Sequence, residues 1–167
     1  MTTLFTRLGP LLAASLITCA CAGRATSSDS PVANDAFGTL NGATVDLESS
    51  GGFAALATVY RAAHDDRSYV YSRRHICSAN CGAPLDSASG RLAPNVADSL
   101  FSIVVSAAPD LEPDYGTTAG GADMVDYKLR MTIAGQTKTV HADDGTMPAP
   151  MRRIVDALRG IVGRGAK

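Results

Sequence analysis

The residues of this chain whose chemistry depends most on spacing are its four cysteines. Cys77 and Cys81 stand four residues apart in Cys-Ser-Ala-Asn-Cys. In an oxidising compartment two thiols this close are expected to join. Cα atoms four apart in an extended strand are too distant for a disulfide, so the chain must turn between them. The Ser-Ala-Asn-Cys-Gly run permits that turn. So tight a loop stabilises by about 2 kcal/mol at most in the chain-entropy account, which makes the pair a local staple. The competing chemistry is redox exchange, or zinc binding with the nearby His75. Zinc usually wants four ligands, and no second closely spaced pair accompanies this one outside the N-terminal run.

Other motifs are weaker. Asp110, Glu112 and Asp114 are spaced two apart, as in a calcium loop. The position that should be Gly is Tyr115, and the one that should be Glu is Gly121. These departures favour a solvated acidic loop over a calcium site. Asp143-Asp144-Gly145 reads as a hairpin end or helix approach rather than a ligand pair. His64, His75 and His141 are scattered, and the methionines form no copper-binding cluster. The sequence holds no HExxH, GxSxG, GxxxxGK[ST] or GxGxxG pattern. No catalytic residue, cofactor or metal is expected, and the chain is not expected to be an enzyme. From residue 21 onward 14 bases face 16 acids, with no basic block. That balance argues against nucleic-acid binding, which needs an excess of Lys and Arg to displace counterions.

Cys19 and Cys21 sit at the end of an N-terminal apolar run. Met1–Arg7 carries one positive charge and no acid, and Leu8–Ala22 is apolar or small throughout. This pattern predicts an export signal over residues 1–20. The run falls short of the roughly 20 apolar residues a membrane-spanning helix needs. Two cleavage readings stand. In the first, similar to a bacterial lipoprotein signal, Cys21 (alternatively Cys19) is lipidated and becomes the first residue. In the second, Ala20-Cys21-Ala22 is an ordinary cleavage site. The lipoprotein reading is favoured. It places the protein in the cell envelope, lipid-anchored and preferentially at the outer membrane; the second makes it periplasmic or secreted. Residues 21–40 read as a flexible tether, because Ala22–Ala36 is small and polar with no aromatic, and about 15 such residues span roughly 20 Å.

Residues 41–167 must then fold as one domain. Aromatic residues make up only 5% of the chain and Trp is absent, so aliphatic side chains must fill the core. Ala43–Ser49 alternates, with Val45 and Leu47 on one face, and predicts a half-buried strand. Ser50-Gly51-Gly52 predicts a turn, and Phe53–Ala62 and Arg67–Arg74 two further strands. Cys77–Gly90 is rich in Ser, Gly, Pro and Asn and predicts a loop. Pro94 opens a helix over Asn95–Ala107, with Val96, Leu100, Ile103, Val104 and Ala107 at helical spacing. Asp110–Gly121 reads as a second polar loop. Asp123–Ala134 gives the cleanest alternation, through Val125, Tyr127, Leu129, Met131 and Ile133. Thr137–Ala142 follows as a strand. Pro148 and Pro150 lead into a last helix striped by Met151, Ile154, Val155, Leu158 and Val162. The fold class is α+β: an antiparallel sheet of about five strands with two amphipathic helices packed on one face.

Several of these segments together resemble a known family. Ser50-Gly51-Gly52-Phe53-Ala54 is similar to the SGGFAG segment of emfourin-type proteins. Gly121-Ala122-Asp123-Met124-Val125-Asp126-Tyr127-Lys128-Leu129 continues the likeness, through Thr139-Val140, Asp143-Asp144-Gly145 and Met147-Pro148 to the closing helix with Leu158. The likeness spans roughly residues 43–62 and 91–162. It departs in the export signal and tether, in Ala55 where the family often has Gly, and in the cysteine-containing insert at about 75–89. Emfourin-type proteins are small α+β inhibitors of thermolysin-like zinc metallopeptidases. The resemblance implies that this chain blocks the cleft of such a peptidase. The partner-binding candidates are Gly51, Gly52 and Phe53, and the loop Tyr115–Gly121 with Gly120 and Gly121. Each has a plainer reading: a hairpin turn for the glycines, a core residue for Phe53. The alternative function is a non-inhibitory envelope lipoprotein that binds or scaffolds another protein.

Overall fold

The computed structural model describes residues 40–76, 83–118 and 123–165. Strands β1 (Thr44–Gly51), β2 (Leu56–Ala63), β3 (Ser68–His75) and β4 (Asp86–Arg91) run consecutively. Helix α1 (Pro94–Ala107) and a 3-10 turn (Ala108–Asp110) follow, then β5 (Val125–Ile133), β6 (Gln136–Asp143) and helix α2 (Ala149–Gly165). The strands form one six-stranded sheet in the order β4-β3-β2-β1-β5-β6, every neighbouring pair antiparallel. The segment from β4 through α1 returns the chain from the outer edge to the far side of β1, where β5 pairs.

The alternation of the strands decides which side is covered. Val45 and Leu47 of β1, Leu129 and Met131 of β5, and Val140 of β6 are buried in one cluster with the inward stripes of both helices. In α1 these are Ala97, Leu100, Phe101, Val104 and Ala107; in α2 they are Met151, Ile154, Val155, Leu158 and Ile161. Both helices therefore pack on one face, as expected for an α+β two-layer domain. Each large side chain so buried contributes about 1.5–3 kcal/mol of transfer free energy. The opposite face stays polar. Asp46 lies in register between Arg61 and Arg130 and pairs with them at 3.3 and 3.9 Å. With both arginines well exposed, such pairs stabilise by only about 0.2–1 kcal/mol.

The two sheet edges differ. Beyond β6, the His141 N–H donates to the Pro113 carbonyl at 2.9 Å, and the Tyr115 N–H donates to the His141 carbonyl at 3.0 Å. The loop after α1 thus closes that edge with one parallel bridge, Asp114 to His141. Beyond β4, no strand is paired among the described residues.

The structure corrects the sequence reading at four points. The sheet has six strands where about five were expected, since the end of the segment Cys77–Gly90, read as loop, belongs to β4. Phe53 does not begin a strand; Gly52–Ala55 form the turn and β2 starts at Leu56. The α1 stripe is rotated toward Phe101, which is fully buried, while Val96 and Ile103 are half-buried. Helix α2 begins at Ala149, with Pro150 in its first turn, and Ile161 is the buried residue of its last turns where Val162 is half-buried. Proline is tolerated there because a first-turn N–H has no partner inside the helix.

Candidate functional site

The β1–β2 turn, the end of β3, the start of β4, the start of β5 and the end of β6 share one end of the sheet. The register requires it: Gly51 pairs with Leu56 and Val125, Leu56 pairs with His75, and Asp126 pairs with Asp143. The hairpin tip Gly52–Ala55 is closed by the Ala55 N–H donating to the Gly52 carbonyl at 2.9 Å. It leans on the start of β5 through the Gly52 N–H, which donates to the Met124 carbonyl at 3.0 Å. On its other flank the Ile76 N–H donates to the Ala55 carbonyl at 2.6 Å.

Glycine is required at this tip. Gly51 has φ +113°, and a Cβ there would lie 2.6 Å from the Met124 carbonyl oxygen. Gly52 has φ +71°. Ala55 also adopts a positive φ, +45°, which an L-residue tolerates at a cost of about 1–2 kcal/mol. This bent backbone carries Phe53 outward: its side chain is 94% exposed, the most exposed of the large hydrophobic residues described. Phe53 is therefore not a core residue. Ile76 and Leu85, both about half exposed, lie at the same end of the sheet.

The second candidate loop arrives at the same end. Asp143, at the end of β6, is buried yet accepts hydrogen bonds from several directions. Its carboxylate takes the Thr118 N–H in a short bond, the Thr118 hydroxyl at 3.0 Å, the Gly145 N–H at 2.9 Å and the Thr146 N–H at 2.8 Å. The Thr146 hydroxyl accepts the N–H of Asp143 itself at 3.0 Å. Hydrogen bonding by the Thr118 N–H, and then by Thr146 and the Thr118 hydroxyl, outweighs burial and holds the carboxyl down to about 2. Thr118 lies so close to Gly145 that a Cβ there would clash with its hydroxyl, and the Met124 methyl would lie 3.2 Å from the same Cβ. Thr118 and Met124, which flank the segment 119–122, are thereby brought together beside the tip.

A second set of polar groups braces the helix side. Asp144 accepts the Tyr127 hydroxyl at 2.8 Å, and the Arg159 guanidinium donates to that hydroxyl at 3.0 Å while lying 5.7 Å from the ring centroid. Burial, and then the bond to Asp144, raise the Tyr127 phenol. Burial likewise raises Tyr60 and Tyr71, whose rings tilt together at 5.0 Å.

Of the candidates read from the sequence, Gly51, Gly52 and Phe53 form this tip. Tyr115 is turned inward: it packs against the core, and its hydroxyl accepts the Glu112 N–H at 2.8 Å. It supports the loop. Gly120, Gly121, Cys19, Cys21, Cys77 and Cys81 lie outside the described residues. In the Asp110–Asp114 segment, Asp114 accepts the Gly116 N–H at 2.8 Å. Among the described residues no group of three His, Cys, Asp or Glu could hold a metal ion. Asp143 is the anchoring residue of a segment that the sequence reading treated only as a hairpin end or helix approach. Its signal is Asp-x-Gly-Thr, in which an Asx-type turn precedes a helix.

A depression of about 420 Å³ on the polar sheet face, lined by Asp46, Glu48, Arg61, Lys128 and Arg130, brings opposite charges together. The fold and these loops define a two-layer α+β domain with one end built from converging turns. No protein-family model matches the chain, and no curated protein matches it significantly.

Proposed function

We propose that this domain is a non-enzymatic binding module that inhibits a thermolysin-like zinc metallopeptidase by seating its loop end in the peptidase cleft. The observation that carries the proposal is Phe53, an almost fully exposed aromatic side chain on a hairpin tip whose glycines and backbone bonds fix its direction. A single exposed apolar side chain is ordinary on a protein surface, but Phe53 shares this end of the sheet with the half-exposed Ile76 and Leu85, and aromatic anchors dominate binding energies at interfaces. The emfourin-like segments supply the class of partner, since two of them, Ser50–Ala54 and Asp143–Gly145, fall at this end. Blocking by a preformed turn needs no chemistry from the inhibitor and no cofactor. The N-terminal segment extends the proposal: export, lipidation at Cys21 (alternatively Cys19) and the 21–40 tether would hold the domain near a membrane surface. The pair Cys77–Cys81 would be a local staple.

The test is a titration of the full chain against a thermolysin-like peptidase at fixed substrate. The proposal expects stoichiometric loss of activity. Undiminished activity across several such peptidases at micromolar chain would overturn it and leave the scaffold reading.

A further inference from the structure

The free edge of β4 is a second feature, separate from the loop end. On β3, the Ile76 N–H bond to Ala55 shows that even-numbered residues direct their backbone groups toward β2. The Leu92 N–H donates to the Arg67 carbonyl at 2.8 Å, so on β4 the even-numbered residues face β3. Alternation then turns the N–H and C=O groups of Ser87, Ser89 and Arg91 away from the sheet. The opposite edge is closed by the Pro113–Tyr115 segment, whereas β4 has no such cover among the described residues. Its charged residues, Asp86 and Arg91, stand at its two ends; it holds no Pro and no Lys, and its centre, Ser-Ala-Ser-Gly, is small enough for another backbone to approach.

Beside this edge, on the helix side, lies a groove of about 290 Å³ lined chiefly by Tyr69, Gly90, Leu92, Val96 and Ile161. Gly90 keeps it open, since a Cβ there would stand 3.2 Å from the Tyr69 ring. A cavity of about 150 Å³ suffices for a benzene ring. A strand added along β4 would direct the side chain next to Gly90 to the helix side, at this groove. Main-chain bonds along an edge with a pocket for alternate side chains are the two components of peptide recognition by strand addition.

We propose that β4 is a peptide-binding edge: an extended segment of a partner protein pairs with Ser87–Arg91 and places one large apolar side chain in the groove. A second copy of this chain is a poorer occupant. Its own β4 would present only Asp86, Ala88 and Gly90 on that face, none of which fills the groove. The proposal does not depend on the peptidase reading.

The experiment pans the full chain against a phage-displayed library of random decapeptides and measures the enriched peptides by fluorescence anisotropy. Enriched peptides should share a large apolar residue and slow hydrogen exchange at the amides of Ser87, Ser89 and Arg91. Ser89→Pro removes an outward N–H without removing a bond to β3, and should weaken binding at least tenfold at unchanged melting temperature. Val96→Lys should weaken it by placing a charge in the groove. Should Ser89→Pro not fold, N-methylation of alternate peptide amides must abolish binding to the unsubstituted chain. Absence of enriched peptides, binding indifferent to N-methylation, or an edge occupied by a second copy in sedimentation equilibrium would each overturn the proposal.

Discussion

At the scale of single residues, Phe53 and Asp143 show opposite uses of side chains that break the usual burial rule. Large apolar residues are usually inside and carboxylates outside. Phe53 is exposed because the turn that carries it is held from both flanks by backbone bonds. Asp143 is buried because the donors around it replace water. Its carboxyl lies near 2, below the ordinary 3.8, so it is more readily ionised folded than unfolded. Its contribution is fully present above about pH 4 and is lost as pH falls toward about 2. Melting temperatures should therefore fall over that window more steeply in the unsubstituted chain than in Asp143→Asn, which should already melt lower at neutral pH. Equal acid limbs in the two proteins would refute the role given to the carboxylate. Little of this was legible in the sequence: Asp-Asp-Gly announces a turn, but the partner Thr118 lies 25 residues away. Phe53 follows two glycines, which equally suit a core residue after a turn.

At the scale of elements, the strands with alternating apolar residues were readable, because period-2 patterning and one-sided burial are the same fact. Val125 through Ile133 is the clearest case. Strand β4 was not readable, since Asp-Ser-Ala-Ser-Gly-Arg has no apolar alternation and is a strand by pairing with β3 alone. The α1 stripe was placed slightly off because Val96 and Ile103 match the helical period as well as Ala97 and Phe101 do. The tip makes a sharper prediction at this scale. Ala55→Gly should relieve the left-handed conformation and stabilise the domain by about 1 kcal/mol. Gly51→Ala should destabilise it by about 1–3 kcal/mol, from its φ and from the approach to the Met124 carbonyl. Urea midpoints read both; a stabilising Gly51→Ala would mean that the tip is bent otherwise than described.

For the molecule as a whole, a one-sided sheet divides the labour. The helix-covered face holds the domain together, while the hairpin tip and the β4 edge stay uncovered among the described residues. Phe101→Ala should cost about 3–5 kcal/mol, whereas Lys128→Ala on the polar face should change stability by less than about 0.5 kcal/mol. Similar losses from the two substitutions would contradict a core on one face only. The inhibitory function proposed for this chain would use only the loop end of the sheet, where the hairpin tip lies.

The most direct measurement pairs the inhibition constant of Phe53→Ala against a thermolysin-like peptidase with its melting temperature. The account predicts inhibition weakened by at least about 30-fold, the size of an interface hot spot, with the melting temperature unchanged. Inhibition that is absent from the start, unaffected by the substitution, or lost only in parallel with stability would contradict it.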